Sequence, residues 1–285
     1  MKKLSKNKLT IVTVNFNAAK LIRELLASIN NSKNINFGIK IVVVENSEED
    51  LSSLSGITYL RNKGNLGFSS GNNLGVTKAE GDYVWFMNPD TTVEHDTIAY
   101  MINFMDKNPD VGVATPKIIL PNGKLDKNCR RKFPTPINSL NRFLGFGGYF
   151  IDTPEGKTVE VDSVMGSNML IRTEVGQKIG WWDEDYFMYG EDIEFCWQVK
   201  ELGYKIMYVP DVVVHHHHGA SSGLKKTSEK ITIADNSVRH KAILGSTNAM
   251  RIFYKKHYAG NILIDPIIYF SIWLLERFRL LKLRL

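Results

Sequence analysis

The stretch Tyr83-Val84-Trp85-Phe86-Met87-Asn88-Pro89-Asp90 decides how this chain reads. Five apolar residues, aromatic and β-branched among them, run without a break between Gly81 and Asn88-Pro89, which predicts a buried strand. Pro89 has no N–H for a ladder and fixes its own φ, so the strand ends there and Asp90 stands just past its carboxyl end. In open α/β sheets that edge is where ligands bind. An acid followed by Thr91 and Thr92 suits a divalent cation carrying a phosphorylated ligand, because hard cations take oxygen ligands. The alternative is that Asp90 and Thr91 cap a helix starting near Val93, with Thr91 and Glu94 at capping-box spacing.

Working back from this strand, Leu9 to Val14 is rich in β-branched residues and predicts a first strand ended by Asn15-Phe16-Asn17. Leu21, Ile22, Leu25, Leu26 and Ile29 recur at helical spacing, so a helix is expected from about Ala18 to Asn30. Ile39 to Val44 gives a second strand, ending at Glu45-Asn46-Ser47, and Ile57 to Leu60 a third. The segment from Asn62 to Gly75 follows, where glycines let backbone approach a ligand and asparagines supply amide donors and acceptors. A helix is expected from Ser69 towards Lys78, another from Glu94 to Lys107, and a strand over Val111 to Thr115. This alternation predicts an α/β fold with a mostly parallel sheet and helices on both faces. Polar residues collect at three strand ends, Asn15 and Asn17, Glu45 and Asn46, Asn88 and Asp90, which together suggest a nucleotide pocket. There is no GxGxxG after the first strand and no GxxxxGK[ST] loop, which counts against dinucleotide dehydrogenases and P-loop proteins.

Beyond Lys117 the periodicity is poor as far as Glu160. Pro121-Asn122-Gly123 reads as a hairpin turn. Arg130-Arg131-Lys132-Phe133-Pro134 and Gly145 to Tyr149 read as mobile loop, suited to an acceptor or a membrane or simply solvated. Val159 to Val164 predicts a strand, then Gly166-Ser167-Asn168, a strand over Met169 to Ile171 and a short helix from Glu174 to Ile179. Trp181 to Asp192 mixes aromatics with five acids. Gly190 lets the chain turn into a helix from Glu191 to about Leu202, with Ile193, Cys196 and Trp197 expected on its buried stripe. Acids favour a first helical turn for electrostatic reasons alone. An acid held beside aromatic walls also keeps one rotamer and can serve as a general base. Lys205 to Val209 and Val212 to Val214 predict short strands, followed by His215 to His218. Alternation places His216 and His218 on one face, where an imidazole could complete the coordination of a metal held by Asp90.

The 285 residues are 43% hydrophobic and 23% charged, a globular composition. The net charge of +6 is clustered at the N-terminus, at Arg130-Arg131-Lys132 and in the last ten residues. That distribution favours phosphates or anionic lipid; a nucleic-acid reading motif is lacking, so no nucleic-acid partner is expected. Cys129 and Cys196 have no metal-binding spacing and suit unpaired thiols in a reducing compartment.

The ordered set of motifs resembles the inverting family-2 glycosyltransferases of GT-A fold, and within them the rhamnosyltransferase-like group. The residues that carry it are Ile11 to Asn17, Val43 to Ser47, Asn65 to Phe68 with Gly71 to Asn73, Met87 to Asp90, Gly166 to Arg172, Phe187 to Asp192, and Val214 to Ser221. The resemblance implies a nucleotide-sugar donor, with dTDP-rhamnose favoured and a UDP-sugar possible, a divalent cation (Mg2+ or Mn2+), and a single displacement onto a saccharide or lipid-linked acceptor. Asn88-Pro89-Asp90 takes the place of the family's DxD, which makes Asp90 and His216 the expected metal ligands. Val14, Asn15, Asn17, Glu45, Asn65, Gly67, Asn72, Asn88 and Asp90 are the expected donor contacts. Gly166, Ser167, Trp182 and Tyr189 are the expected acceptor contacts, and Asp192 the general base beside Glu191. Glu45 stands where the family usually has Asp, Asn88 replaces the first acid of DxD, and Glu194 and Gln198 replace Asp and Arg of the group.

Residues 1–225 are read as the GT-A domain and 226–285 as a helical, membrane-associating segment. Ile262 to Leu275 is strongly apolar, interrupted by Asp265-Pro266, and short of the roughly 20 residues a spanning helix needs. It is expected to lie in the membrane interface on the cytoplasmic side, or to dock on the domain or on another subunit of a homo-oligomer. The function expected is metal-dependent sugar transfer in cell-surface polysaccharide synthesis, by a protein peripheral on the inner face of the cell membrane. A non-catalytic nucleotide-sugar-binding or scaffold protein is the alternative, against which Glu191-Asp192 argues. A nucleotidyltransferase would want a basic glycine-rich loop near the first strand, and Asn15-Phe16-Asn17 offers none.

Overall fold

The computed structural model describes residues 7–143, 148–151, 153–216 and 236–284. The first half follows the sequence pattern closely: β1 (Asn7–Asn15), α1 (Ala19–Asn30), β2 (Gly38–Glu45), β3 (Thr58–Arg61), α2 (Gly67–Val76) and β4 (Tyr83–Met87). Then come β5 (Thr91–Val93), α3 (Thr97–Lys107), β6 (Val111–Ile119), α4 (Pro136–Phe143), β7 (Val159–Glu160), β8 (Asn168–Arg172), α5 (Thr173–Ile179), α6 (Glu191–Glu201) and β9 (Lys205–His216). Thr91–Val93 is a strand and the N-cap of α3 is Asp96, so the capping-box reading of Thr91 and Glu94 falls away. The expected strand over Val159 to Val164 shrinks to Val159–Glu160, and the two expected strands after Lys205 are one.

The sheet runs β3-β2-β1-β4-β8-β6-β9-β5, with β7 also on β9. Pairing is parallel from β3 to β4 and between β6 and β9. β8 lies antiparallel between β4 and β6, and β5 and β7 lie antiparallel on β9, so the sheet is mixed. Two consequences position a site. β1 has β2 on one side and β4 on the other, so the connections diverge there and open a crevice at their carboxyl ends. Because β8 is antiparallel to β4, its start lies at the end of β4, and Asn168 pairs with Met87.

Side-chain alternation divides the core into two layers. Leu9, Ile11, Ile41, Val43, Tyr83 and Trp85 face α1 and α3. Val12, Val42, Val44, Val84 and Phe86 face the opposite layer, with Trp182, Phe195 and Cys196. Cys129 and Cys196 are buried free thiols.

The C-terminal part is a helical hairpin of α7 (Asn236–His257) and α8 (Asp265–Arg284). Asp265-Pro266 starts α8 rather than breaking it: Pro suits a first turn, where its N–H would have no helical partner. Tyr254 Oη donates to Asp265 at 2.7 Å, and Thr247 Oγ1 and Arg251 donate to buried Glu276 at 2.7 and 2.8 Å, so the helices run antiparallel. On the far side of α8, Ile267, Phe270, Leu274, Phe278 and Leu281 are exposed at i, i+3, i+7, i+11 and i+14. Among the described residues no helix is long and apolar enough to cross a membrane.

Candidate active site

The expected donor residues line the ends of β1 and β2 and the start of α2. Asn15 is fully buried; its Nδ2 donates to Glu45 and Glu49 at 2.8 Å each, and its Oδ1 accepts from Ala18 N at 3.1 Å. The other Glu45 oxygen accepts from Ser47 N at 2.7 Å and Ser47 Oγ at 2.5 Å. Glu45 is thus sealed, at 0% exposure. Asn17 is exposed, with φ +53°, and its N–H donates to Ser47 Oγ. Val14 sits under Gly71, where a Cβ would come within 2.9 Å of Val14 Cγ1.

Asn65 Oδ1 accepts from Gly67 N at 3.1 Å. Gly67 has φ +91°, and a Cβ there would lie 2.4 Å from Phe187 O. Phe68 N donates to that same carbonyl at 2.9 Å. Gly67 therefore lets the start of α2 lie flush against the segment that precedes α6. Asn72 is buried, at 2% exposure, and donates to Phe68 O within its own helix. Asn73, which the sequence reading did not select, clasps the same segment through Trp182 N, Trp182 O and Glu184.

β5 pairs with β9 in the register Thr91↔His216, which sets His216 beside Asp90. His216 Nε2 lies 3.3 Å from Asp90 Oδ1, and both side chains are largely buried. Asp126, from the irregular segment, faces the other ring nitrogen at 4.0 Å. Among the described residues no cluster of three His, Cys, Asp or Glu side chains stands ready for a metal. The Asp90–His216 pair still fits a share in one: adjacent ligands of an octahedral ion with bonds of about 2.1 Å lie about 3 Å apart. His215 points the other way, to Glu94 at 3.0 Å; His217 and His218 lie outside the described residues.

Asp192 stands in the first turn of α6, after Gly190 at φ +84°. Its Oδ2 accepts from Arg131 Nη2 at 2.8 Å and from Gly166 N at 3.3 Å. Ser167, the next residue, accepts from Asn88 N at 2.9 Å. The turn bearing Asp90 and the helix start bearing Asp192 are thus joined through Gly166-Ser167. Glu191 is buried, and burial, followed by the charge of Asp192, pushes its carboxyl up to about 8.

Trp182 is 2% exposed and packs on Phe68, Phe86 and Phe195. Tyr189, at φ +74°, lies against α7 near Gly245. The buried face of α6 is Glu191, Glu194, Phe195, Cys196 and Val199. Ile193 and Trp197 are half-buried, and Trp197 meets Phe133, Phe253, His257 and Tyr258. Glu194 accepts from Tyr186 at 3.1 Å and from Gln198 at 2.9 Å, and meets His257 at 2.8 Å. Gln198 is thereby an internal partner of Glu194.

Residues 10–180 match the model of a family described as Glycosyl transferase family 2. The low-salt glycan biosynthesis hexosyltransferase Agl10 of Haloferax volcanii is 28% identical over 200 residues, covering 67% of this chain and 61% of its own length. The rhamnosyltransferase WbbL of Escherichia coli is 29% identical over 216 residues, covering 70% of this chain and 80% of its own. Mannosyltransferase PcManGT from Pyrobaculum calidifontis, in complex with GDP-Man and Mn2+, superposes with a TM-score of 0.58 at 16% identity, over 99% of this chain and 77% of its own. GalNAc-T7 with UDP, GalNAc and Mn2+ gives 0.58 at 16% identity, over 74% and 44%. These likenesses are of fold, and the fold is GT-A.

Proposed function

The chain belongs to glycosyl transferase family 2, and from that premise we propose that it moves rhamnose from dTDP-rhamnose to a saccharide or lipid-linked acceptor with inversion. The observation that supports the reading is the Gly166-Ser167 link: Ser167 O accepts from Asn88 N, two residues before Asp90, and Gly166 N donates to Asp192 Oδ2. The sugar preference is supported by the likeness to WbbL and remains the finer part of the proposal.

In this reading Asp192 takes the proton of the acceptor hydroxyl as its oxygen attacks the anomeric carbon. The bond from that carbon to the diphosphate oxygen breaks, and the nucleoside diphosphate leaves with the electron pair. Asp90 and His216 would hold a divalent cation, Mg2+ or Mn2+, which when bound supplies charge stabilisation to the departing diphosphate. Asn65 and the backbone around Gly67 border the donor, and Gly166 and Ser167 border the acceptor.

The reading includes work at the inner face of a membrane. The exposed apolar stripe of α8 is flanked by Arg277, stacked 5.6 Å over Trp273, and Lys282, 4.5 Å over Phe278. Residues 236–284 hold nine lysines and arginines against two acids, while the rest of the chain is balanced to within one charge. A basic helix with an apolar face lies in an anionic interface.

A binding and turnover panel of dTDP-rhamnose, UDP-GlcNAc and GDP-mannose, with and without Mn2+, tests the proposal. Cation-dependent binding and turnover of dTDP-rhamnose is expected. Tight binding of a UDP-sugar with indifference to dTDP-rhamnose would end the rhamnose assignment.

A further inference from the structure

Arg131 comes from a stretch whose sequence suggested a mobile loop, yet its backbone and one guanidinium nitrogen are held. Its N–H donates to Ser163 O at 2.9 Å, and its carbonyl accepts from Asp162 N at 3.1 Å and Ser163 N at 3.0 Å. Its guanidinium, in a side chain 15% exposed, donates through one nitrogen to Val164 O at 2.5 Å and to Asp192 Oδ2 at 2.8 Å. Gly166 N donates to that same oxygen. Both contacts fall on Oδ2.

We propose that Arg131 is the positioning residue of the base: with Gly166 N it holds Asp192 Oδ2, leaves Oδ1 to take the acceptor proton, and makes Asp192 rather than Glu191 the charged member of the adjacent pair. This rests on the reading of Asp192 as base. Two neighbouring carboxyls at a buried helix start cannot both be charged cheaply, and one cation beside them selects which is. Arg131 hydrogen-bonds Asp192, whereas Glu191 Oε2 finds no partner among the described residues. The rise of Glu191 to about 8 agrees with a proton resting there at neutral pH. The titratable groups facing the pair include Arg131, from the 130–133 segment, whose charge acts on both acids, and Cys196, on α6 itself; backbone hydrogen bonds at Tyr189 and Glu191 also favour the charged form of Glu191, against its burial. The 163–166 segment contributes the Val164 carbonyl and the Gly166 N–H.

The step places the proton definitely. The acceptor O–H loses its proton to Asp192 Oδ1 as the new C–O bond forms and the diphosphate leaves. Arg131 stays protonated throughout, since a guanidinium does not give up its proton in this range.

The test compares Arg131→Gln and Arg131→Lys with the unaltered chain. One readout is turnover of dTDP-rhamnose, or of whichever of UDP-GlcNAc and GDP-mannose turns over. The other needs no substrate: a carbon-13 NMR titration of side-chain carboxyls, with the pair assigned through Glu191→Gln and Asp192→Asn. In Arg131→Gln, kcat should fall about 100-fold or more while KM for the donor stays within about threefold, in keeping with loss of general-base catalysis. The acid limb of the pH profile, and the first ionisation of the carboxyl pair, should move up by about one pH unit or more. Arg131→Lys keeps the charge but not the planar, fixed placement of the donor nitrogen, so it should lose turnover with the limb in place. An unshifted limb and an unshifted pair titration in Arg131→Gln would overturn the inference. If that variant does not fold, a shifted limb in folded Arg131→Lys overturns it equally. Asp192→Asn separates the two claims: if it is inactive while Arg131→Gln behaves normally, only the positioning role fails; if it turns over normally, the base itself is misassigned.

Discussion

Asn88 donates its backbone N–H to Ser167 O at 2.9 Å, and this bond ties the turn of Asp90 to the peptide that touches Asp192. It exists because β8 runs antiparallel to β4 and so begins where β4 ends. The two halves of the proposed chemistry therefore meet on one short backbone segment.

Asp192→Asn should preserve donor binding and lower transfer by about 1,000-fold or more, since the isostere keeps the shape and loses the base. Calorimetry with the donor and a turnover assay check this together. Near-normal turnover removes Asp192 from the role.

Asp90→Asn and His216→Ala should each weaken Mn2+-dependent binding of a nucleoside diphosphate by about 10-fold or more, at least what loss of an outer-shell partner costs. Binding measured with and without a chelator is the check. Equal affinities in the unaltered chain under both conditions would argue against a cation at this pair.

Glu191 gives a pH signature in stability. Its carboxyl is raised to about 8 in the fold, by burial first. Between its ordinary value and about 8 the folded chain holds a proton that the unfolded chain lacks, so this group makes stability fall as pH rises through that window. Glu191→Gln should remove that fall. The difference in thermal midpoint should favour the variant more at about pH 8.5 than at about pH 5. A constant difference would mean that Glu191 titrates like an exposed acid.

Gly67→Ala forces a Cβ to within 2.4 Å of the Phe187 carbonyl at a positive φ. A cost of about 1–3 kcal/mol is expected, with weaker donor binding, because the start of α2 must lift off the segment before α6. Denaturant unfolding and donor titration check both.

Phe270→Glu with Leu274→Glu places acids on the exposed stripe of α8. Co-sedimentation with vesicles rich in anionic lipid should be lost, while donor binding stays unchanged. Retained co-sedimentation would direct attention to a second subunit as the occupant of that face.

The first half of the fold was legible because its signals are local. Leu9 to Val14 and Ile39 to Val44 announce strands, and Leu21 to Ile29 announces a helix, through spacing alone. Asp90 was legible from Pro89, which stops a strand wherever it stands. The pairing of β5 with β9 was not: three residues are too short for a period, and Thr91 with Glu94 also fits a helix cap. His216 could be aligned with a family histidine but not placed. Asp126 and Arg131 lie where periodicity is poor, and nothing local marks a charged residue as buried. The inward packing of Trp182 was not legible, because its stretch mixes aromatics and acids without a core period. In the fold Asp183 and Asp185 are taken by Lys256 and Glu184 by Asn73, which leaves the tryptophan free to turn inward. The acids of that stretch separate into an outer set that fastens a helix and an inner pair at the cleft.

The way α7 backs onto this stretch bears on how the protein can be handled. His257 meets Glu194, Lys256 holds Asp183, and a Cβ at Gly190 would strike Ala249 at 2.9 Å. A recombinant fragment trimmed at the end of the sheet, as one might prepare to rid the sample of its greasy tail, would strip Glu194 of its imidazole and bare the underside of α6, the helix of the proposed base. Such a fragment should emerge inactive for mechanical reasons, so solubility is better sought by altering the outer stripe of α8 than by shortening the chain.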